Sequence, residues 1–433
     1  MRKLILLLAF PLALAFGGEA AGAAGAAIQP YFYPFVSPYE ATVMDLPAAY
    51  LAELPEEVPT RVFKLKVFPE RRIPDVFWYE DGFYCSLAPQ PQKAPLIFVI
   101  AGTGSRFNSP TMLKLQRAYY QAGFHVVSIT SPTHMNFVVN ASERAVPGDV
   151  REDARDLYRV MRQAWEKMRG EVEVSSFALA GYSLGGIQAA FVSMLDEEKK
   201  LFDFRKVLLI NPPVSLFNSA SVLDRLLVEN VPGGEENFNR WFQLVLLNVA
   251  AVSREMGYME LTGEFLYQAY KRQPPTEENL KAAIGLSFRM DSANMIFTAD
   301  VMNGGGYIVP TKVQLNNSTS LTPYAMVAYR TSFVDYFHEY LFPYFQRREP
   351  GLTKPALIER LSLRSIEPYL RSAEKIGLVG NEDDVILMPG EIEYLQQVFG
   401  DRAKIFPTGG HLGNVNHPDV VRFMTDFLTG KEQ

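Results

Sequence analysis

The sequence predicts an α/β protein, a mainly parallel β-sheet with helices on both faces, interrupted by a large helical insertion. Two observations predict it. Short apolar runs alternate with longer segments of helical periodicity, which is the grammar of a parallel sheet with crossover helices. The runs are continuous rather than alternating, as in strands buried on both faces. The alternation stops after Val214, gives way to mostly helical pattern as far as Arg364, and resumes at Lys375.

In chain order, each element has its own signature. Arg2 and Lys3 precede an apolar stretch, Leu4 to Phe16, followed by the small-residue segment Gly17 to Ala27. The stretch is too short to span a bilayer comfortably, so residues 1–27 are expected to be a cleaved signal peptide, with export to a bacterial periplasm or secretion. Residues 28–94 read as an extended arm, rich in proline and aromatics up to Glu57, then a hairpin. Its strands are expected at Arg61 to Phe68, which alternates, and at Val76 to Leu87, with Asp81-Gly82 as a turn. Residues 95–214 carry the first part of the α/β core. Strands are expected at Leu96 to Ile100, His125 to Ile129, Phe177 to Ala180 and Lys206 to Ile210. Helices are expected at Pro110 to Ala122, Asp149 to Arg169 and Gly185 to Met194. Residues 215–365 form the insertion, with helices at Trp241 to Met256, Gly263 to Tyr270, Glu277 to Ser287 and Thr331 to Phe345. Residues 366–433 complete the core: a strand at Lys375 to Val379, a helix at Gly390 to Phe399, a strand at Ala403 to Phe406 and a last helix from Pro418 to Leu428.

Composition narrows the function classes. The 433 residues include 42 Lys and Arg against 48 Asp and Glu, a net charge of −6. A mildly acidic chain lacks the basic footprint of a nucleic-acid binder. Cys85 is the only cysteine, which excludes an internal disulfide or a multi-cysteine metal site; with no charged neighbour in sequence it reads as an inert buried residue.

The chemistry concentrates in three stretches. Gly181-Tyr-Ser-Leu-Gly185 follows an apolar strand and opens into a helix. At so sharp a strand-to-helix turn the flanking positions must lack bulk, and Ser183 would project its hydroxyl above the sheet beside a helix N-terminus. A serine needs a base, and the base an orienting acid. Among five histidines, His411 in the glycine loop Thr408 to Asn414 is the favoured base. His417 precedes Pro418 at a helix start and reads as a cap. His125 lies within a strand and His338 within the insertion, while His134, after the second core strand, could line a pocket. The acid should follow the strand ending at Val379, where Asn381-Glu-Asp-Asp384 offers Asp383 or Asp384. An oxyanion would be met by the N–H groups of Leu184 and of Thr103, in the loop Gly102-Thr-Gly-Ser105 after the first core strand. That loop lacks the spacing of a phosphate-binding loop.

These residues resemble the α/β-hydrolase superfamily from about Pro95 to the C-terminus. Gly181-Tyr-Ser-Leu-Gly-Gly186, Asp383-Asp384 and Gly409-Gly-His-Leu-Gly413 are similar to a subgroup with lipid- and short-chain-esterase members. Its Asp-Asp-Pro acid motif implies Asp384 as the acid, although Val385 replaces the proline and leaves Asp383 open. The common His-Gly before the oxyanion loop is Ala101-Gly102 here. The resemblance implies an α/β-hydrolase fold and a serine hydrolase acting on a carboxylic, acyl or lipid-like ester through an acyl-enzyme. No metal or organic cofactor is implied. A small-molecule or lipid ester is the expected partner, with peripheral membrane contact and no nucleic acid. The insertion is expected to be a lid, whose Phe238, Trp241, Phe242, Met256, Tyr258, Met259, Phe288, Met290, Met295 and Phe297 form either a helical core or an apolar acyl pocket. An acyltransferase or peptidase with the same triad, or a non-catalytic lipid-binding module, are the competing readings.

Overall fold

The apolar runs pair into one eight-stranded sheet of order β1-β2-β4-β3-β5-β6-β7-β8. The computed structural model describes residues 31–234, 237–238, 240–242 and 276–431. The expected signal peptide and the expected helices at Trp241 to Met256 and Gly263 to Tyr270 lie wholly or mainly outside the described residues.

Strands β1 (Arg61–Leu65) and β2 (Phe83–Ala88) form the antiparallel edge. The remaining strands are parallel: β3 (Ala94–Ile100), β4 (His125–Ile129), β5 (Val174–Tyr182), β6 (Lys206–Ile210), β7 (Ile376–Asn381) and β8 (Ala403–Phe406). Every residue of β4 and β7 is buried, as two-sided helical cover demands. One expectation is corrected at the edge. The first half of Val76 to Leu87 is a 3-10 turn (Asp75–Phe77) rather than strand. Strands β1 and β2 therefore join through a long connection, and both belong to the main sheet.

Before the sheet lies a short helix, α1 (Pro38–Val43), capped by Ser37. The crossover helices are α2 (Pro110–Gln121), α3 (Met135–Asn140), α4 (Val150–Met168) and α5 (Leu184–Lys199). The Asp149 carboxylate caps α4 by accepting from the Arg151 and Glu152 N–H groups, a favourable anion at the positive end of the helix. The insertion opens with α6 (Leu216–Val228) and continues with the long α7 (Glu277–Asn303) and α8 (Thr322–Ala328). Then α9 (Phe333–Tyr336) passes through a π-helical turn (Phe337–Leu341) into α10 (Phe342–Gln346). Helices α11 (Lys354–Arg360) and α12 (Glu367–Ser372) lead back to β7, and α13 (Glu391–Phe399) and α14 (Pro418–Thr429) complete the core.

The insertion has its own small core of Leu227, Val231, Phe242, Leu286 and Met290, with Phe238 and Trp241 against it. A buried ion pair, Arg289 Nη2 to Asp224 Oδ1 at 2.7 Å, ties α7 to α6.

Register places the site. Ile100 pairs with Gly181, Tyr182 with Ile210, and Ile210 with Val379. Residues just beyond the carboxyl ends of β3, β5, β6 and β7 therefore share one rim, where open α/β sheets bind their ligands. A parallel sheet with helical cover and a serine at the β5-to-α5 turn is the α/β-hydrolase fold.

Candidate active site

Ser183 occupies the turn between β5 and α5 with φ 52° and ψ −124°, a backbone conformation that costs a non-glycine residue of order 1–3 kcal/mol. The surroundings hold it there. Its N–H donates to the Ile210 carbonyl at 2.8 Å. A β-carbon on Gly181 would overlap the Gly185 carbonyl, and one on Gly185 would overlap the Ile100 carbonyl, so α5 can approach the sheet only because both positions are glycine. Ser183 makes no side-chain cap to its own helix. Its Oγ instead lies 2.9 Å from His411 Nε2.

The imidazole is oriented from behind. Asp384 Oδ1 and Oδ2 lie 3.0 and 3.1 Å from His411 Nδ1, which places the proton on Nδ1 and leaves Nε2 to accept from the serine hydroxyl. Asp384 is buried and satisfied further by two donors. Asn211 Nδ2 donates to its Oδ2 at 2.8 Å, and the Ile386 N–H to its Oδ1 at 3.2 Å. Asp383 takes a different place: its carboxylate accepts from the N–H groups of Gly409 and Gly410 at 3.2 and 2.8 Å. Burial raises the Asp383 pKa, an effect opposed by those two backbone donors.

Other residues fix the histidine loop. Asn381 and Asn414 exchange amide hydrogen bonds, and Asn381 Nδ2 also donates to the Gly410 carbonyl at 2.7 Å. From α1, Thr42 Oγ1 accepts from the His411 N–H at 2.9 Å. Sequence reasoning missed Asn211, Asn381, Asn414 and Thr42. Asn211 could have been found from its place directly after an apolar strand; Thr42 carries no local signal.

The loop after β3 lies against the nucleophile. A β-carbon on Gly102 would sit 3.2 Å from Ser183 Cβ and 2.8 Å from the Tyr182 ring. The Gly104 and Ser105 N–H groups are used within the fold, by Thr133 Oγ1 and the Gly102 carbonyl. Thr103 N–H has no hydrogen-bond partner among the described residues, and Leu184 N–H, at the first position of α5, has no carbonyl a turn earlier to meet.

The other histidines are structural. His125 is buried, accepting from the Gln90 N–H at Nδ1 and meeting the Glu173 carbonyl at Nε2. His417 caps α14. His338 sits in the π-helical turn beside Phe217 and Phe337. His134 caps α3, accepting from the Asn136 N–H; burial, reinforced by the Arg106 charge, pushes its pKa down to about 3 and keeps it neutral. Cys85 is buried in β2, where burial raises its thiol pKa.

The lid residues separate by environment. Phe242 and Met290 fill the insertion core, Met295 and Phe297 join the main core, and Phe288 packs near Phe333. Met256, Tyr258 and Met259 lie outside the described residues. The described aromatics and methionines thus serve packing, as helically spaced apolar residues do when a helical layer needs its own core. Among the described residues no group of three or more His, Cys, Asp or Glu side chains could hold a metal ion, and no helix is long and apolar enough to cross a membrane.

No protein-family model matches the sequence. No curated protein matches it in a sequence search. Several solved structures are distantly similar to the chain. A fungal esterase from Rhizomucor miehei is 14% identical, with 88% of this chain and 86% of that one covered and a TM-score of 0.40. An esterase from Pyrococcus furiosus is 9% identical, with 93% and 98% covered and a TM-score of 0.39. The thioesterase domain of the curacin biosynthetic pathway is 13% identical, with 80% and 95% covered and a TM-score of 0.35.

Proposed function

We propose that the protein is a serine hydrolase that cleaves a carboxylic ester. What carries the reading is one hydrogen-bonded chain, Ser183 Oγ to His411 Nε2 at 2.9 Å and His411 Nδ1 to Asp384 at 3.0 Å. Three separate stretches of sequence supply it, and a serine that merely capped a helix would not need it.

The chemistry follows from the geometry. Ser183 Oγ bonds to the ester carbonyl carbon while His411 Nε2 takes its proton. The carbonyl oxygen gains negative charge, met by the Thr103 and Leu184 N–H groups, each such donor being worth about 3 kcal/mol in a water-poor site. The carbon–oxygen bond to the alcohol breaks as His411 returns the proton to the leaving oxygen. Water, deprotonated by His411, then attacks the acyl-enzyme; the acyl bond to Ser183 Oγ breaks as His411 returns the proton to Oγ, releasing the acid and the free serine. Asp384 keeps the imidazole in its tautomer and stabilises the transient imidazolium.

The decisive test is labelling with a fluorophosphonate probe, comparing wild type with Ser183→Ala. Labelling of the wild type alone is expected; equal labelling of both, or none in either, contradicts the reading. A lipid-like acyl group is the finer part of the proposal, and a p-nitrophenyl ester series of rising chain length tests it. Export is proposed as well, supported by the basic, apolar and small-residue order of residues 1–27. N-terminal sequencing of the protein from its host should begin within or just after residues 17–27; an intact Met1 would refute cleavage.

A further inference from the structure

Helix α7 packs against the loop after β3 through Asp291, a carboxyl group that no described residue bonds. A β-carbon on Gly104 would collide with the Asp291 side chain, lying 2.6 Å from its Oδ1. The Asp291 side chain therefore rests on the loop that also lies against Ser183 and that contains Thr103, the oxyanion donor of the proposed mechanism. Ser287 and Asn294, four residues before and three after, share its helix face and its partial exposure, whereas Met290 and Ser292 beside it are buried.

Asp291 has no hydrogen-bond or ion-pair partner among the described residues. Other acids of the insertion are satisfied: Asp224 pairs with Arg289, and Asp300 accepts from the Tyr307, Ile308 and Val309 N–H groups. Partly exposed and bonded by no described donor, the carboxyl stays open to a donor carried by a ligand. Burial pushes its pKa up to about 7. The ionised form thus lacks the donor that ordinarily supports a carboxylate. An ionised carboxylate beside a developing oxyanion would also oppose catalysis unless something neutralised or hydrogen-bonded it.

We propose that Asp291 determines specificity: its carboxyl receives a hydrogen-bond donor, a hydroxyl or an ammonium group, that the substrate carries a few bonds from the scissile carbonyl. The inference rests on the serine-hydrolase reading and names the substrate class within it. A substrate bearing such a group bonds to the Asp291 carboxyl, whereas an unsubstituted acyl ester displaces water from it and returns no hydrogen bond. Discrimination of this polar kind exceeds what an added methylene provides, because the penalty falls on a polar group that the bound ester strips of water and leaves without a bond.

The test compares kcat/KM for the p-nitrophenyl esters of butyric, 3-hydroxybutyric and 3-aminobutyric acid. Wild type, Asp291→Asn and Asp291→Leu are each normalised to the fraction labelled by fluorophosphonate, so that misfolded protein does not count. The wild type should prefer at least one donor-bearing ester to the butyrate by tenfold or more. Asp291→Leu should bring that ratio close to one. Asp291→Asn keeps an acceptor oxygen, so it should retain a preference for a hydroxyl and lose one for an ammonium group; this arm distinguishes the two donors. A wild-type ratio near one for both esters, or a ratio that Asp291→Leu leaves unaltered, overturns the proposal while the hydrolase reading stands. Absence of labelling at Ser183 in the wild type overturns the hydrolase reading and the specificity proposal with it.

Discussion

Ser183, His411 and Asp384 form a relay in which each group has one partner to face and little freedom to face another. Asp384 bonds His411, Asn211 and the Ile386 N–H together. Asp384→Asn would present an amide to Nδ1 and favour the wrong tautomer, so kcat should fall about 10³- to 10⁴-fold. Asp383→Asn removes one acceptor from the Gly409 and Gly410 N–H pair and leaves the triad intact, so its loss should stay within about tenfold. Stopped-flow or steady-state rates on one ester decide between them, and equal losses would contradict the assignment. That Ser183, His411 and one of two adjacent acids would meet was legible from motif and order, because turn chemistry at Gly181 to Gly185 and the glycine loop leave local signatures. The choice between Asp383 and Asp384 rested on the family resemblance alone. Adjacent residues on a loop point in different directions, and backbone direction is not written in composition.

Among the elements, α1 is short but bonds the loop that carries His411. Thr42 accepts from the His411 N–H, and a β-carbon on Gly413 would overlap the Ala41 carbonyl. Lys281 of α7, lying over the Tyr39 ring at 4.7 Å, joins the same helix to the insertion. Thr42→Val leaves the His411 N–H without an acceptor and should lower kcat roughly tenfold, while Thr42→Ser should restore it. A Thr42→Val enzyme with wild-type kcat would show that α1 only packs. The Arg289–Asp224 pair makes a prediction of stability instead. Arg289→Met strands a buried carboxylate and should cost about 3–5 kcal/mol, much of it recovered in the double variant with Asp224→Leu. Denaturant titration reads both, and a single-variant loss below 1 kcal/mol would contradict the buried pair's role. Buried strands were legible to within a few residues because a short, continuous apolar run between turn signals fits a strand covered on both faces and little else. Helices α1, α3 and α6 were not. The first two are short, with ends set by Ser37 and His134 caps rather than by a long apolar stripe. The third carries its apolar face against α7, a partner distant in sequence.

At the scale of the whole molecule, the sheet is a scaffold that carries four strand ends to one rim, where α7 of the insertion packs against the loop after β3. Buried carboxyls on that scaffold make its stability depend on pH. Asp153 in α4 is fully enclosed, accepts from the Gly148 N–H at 3.1 Å, and burial raises its pKa well above 3.8. The folded state therefore keeps a proton that the unfolded chain releases above about pH 4. Stability from this site is full below that range and is lost as pH rises towards the folded pKa. Asp153→Asn removes the titration, so its Tm should rise relative to wild type as pH goes from 4 to 8; a constant difference would contradict the burial argument. The α/β class, the parallel core and the inserted helical layer could be read from periodicity. The polar face that α7 turns to the oxyanion loop could not, since Asp291 declares itself only once Gly104 is beneath it.

Rapid quenching of the protein with a p-nitrophenyl ester, followed by mass spectrometry of the peptide containing residue 183, reads whether Ser183 carries the acyl group. An acyl mass on Ser183 is expected to build up with the first burst of p-nitrophenol and to vanish in Ser183→Ala. Ester turnover with no acyl group on that serine, or an acyl group carried by another residue, would contradict it.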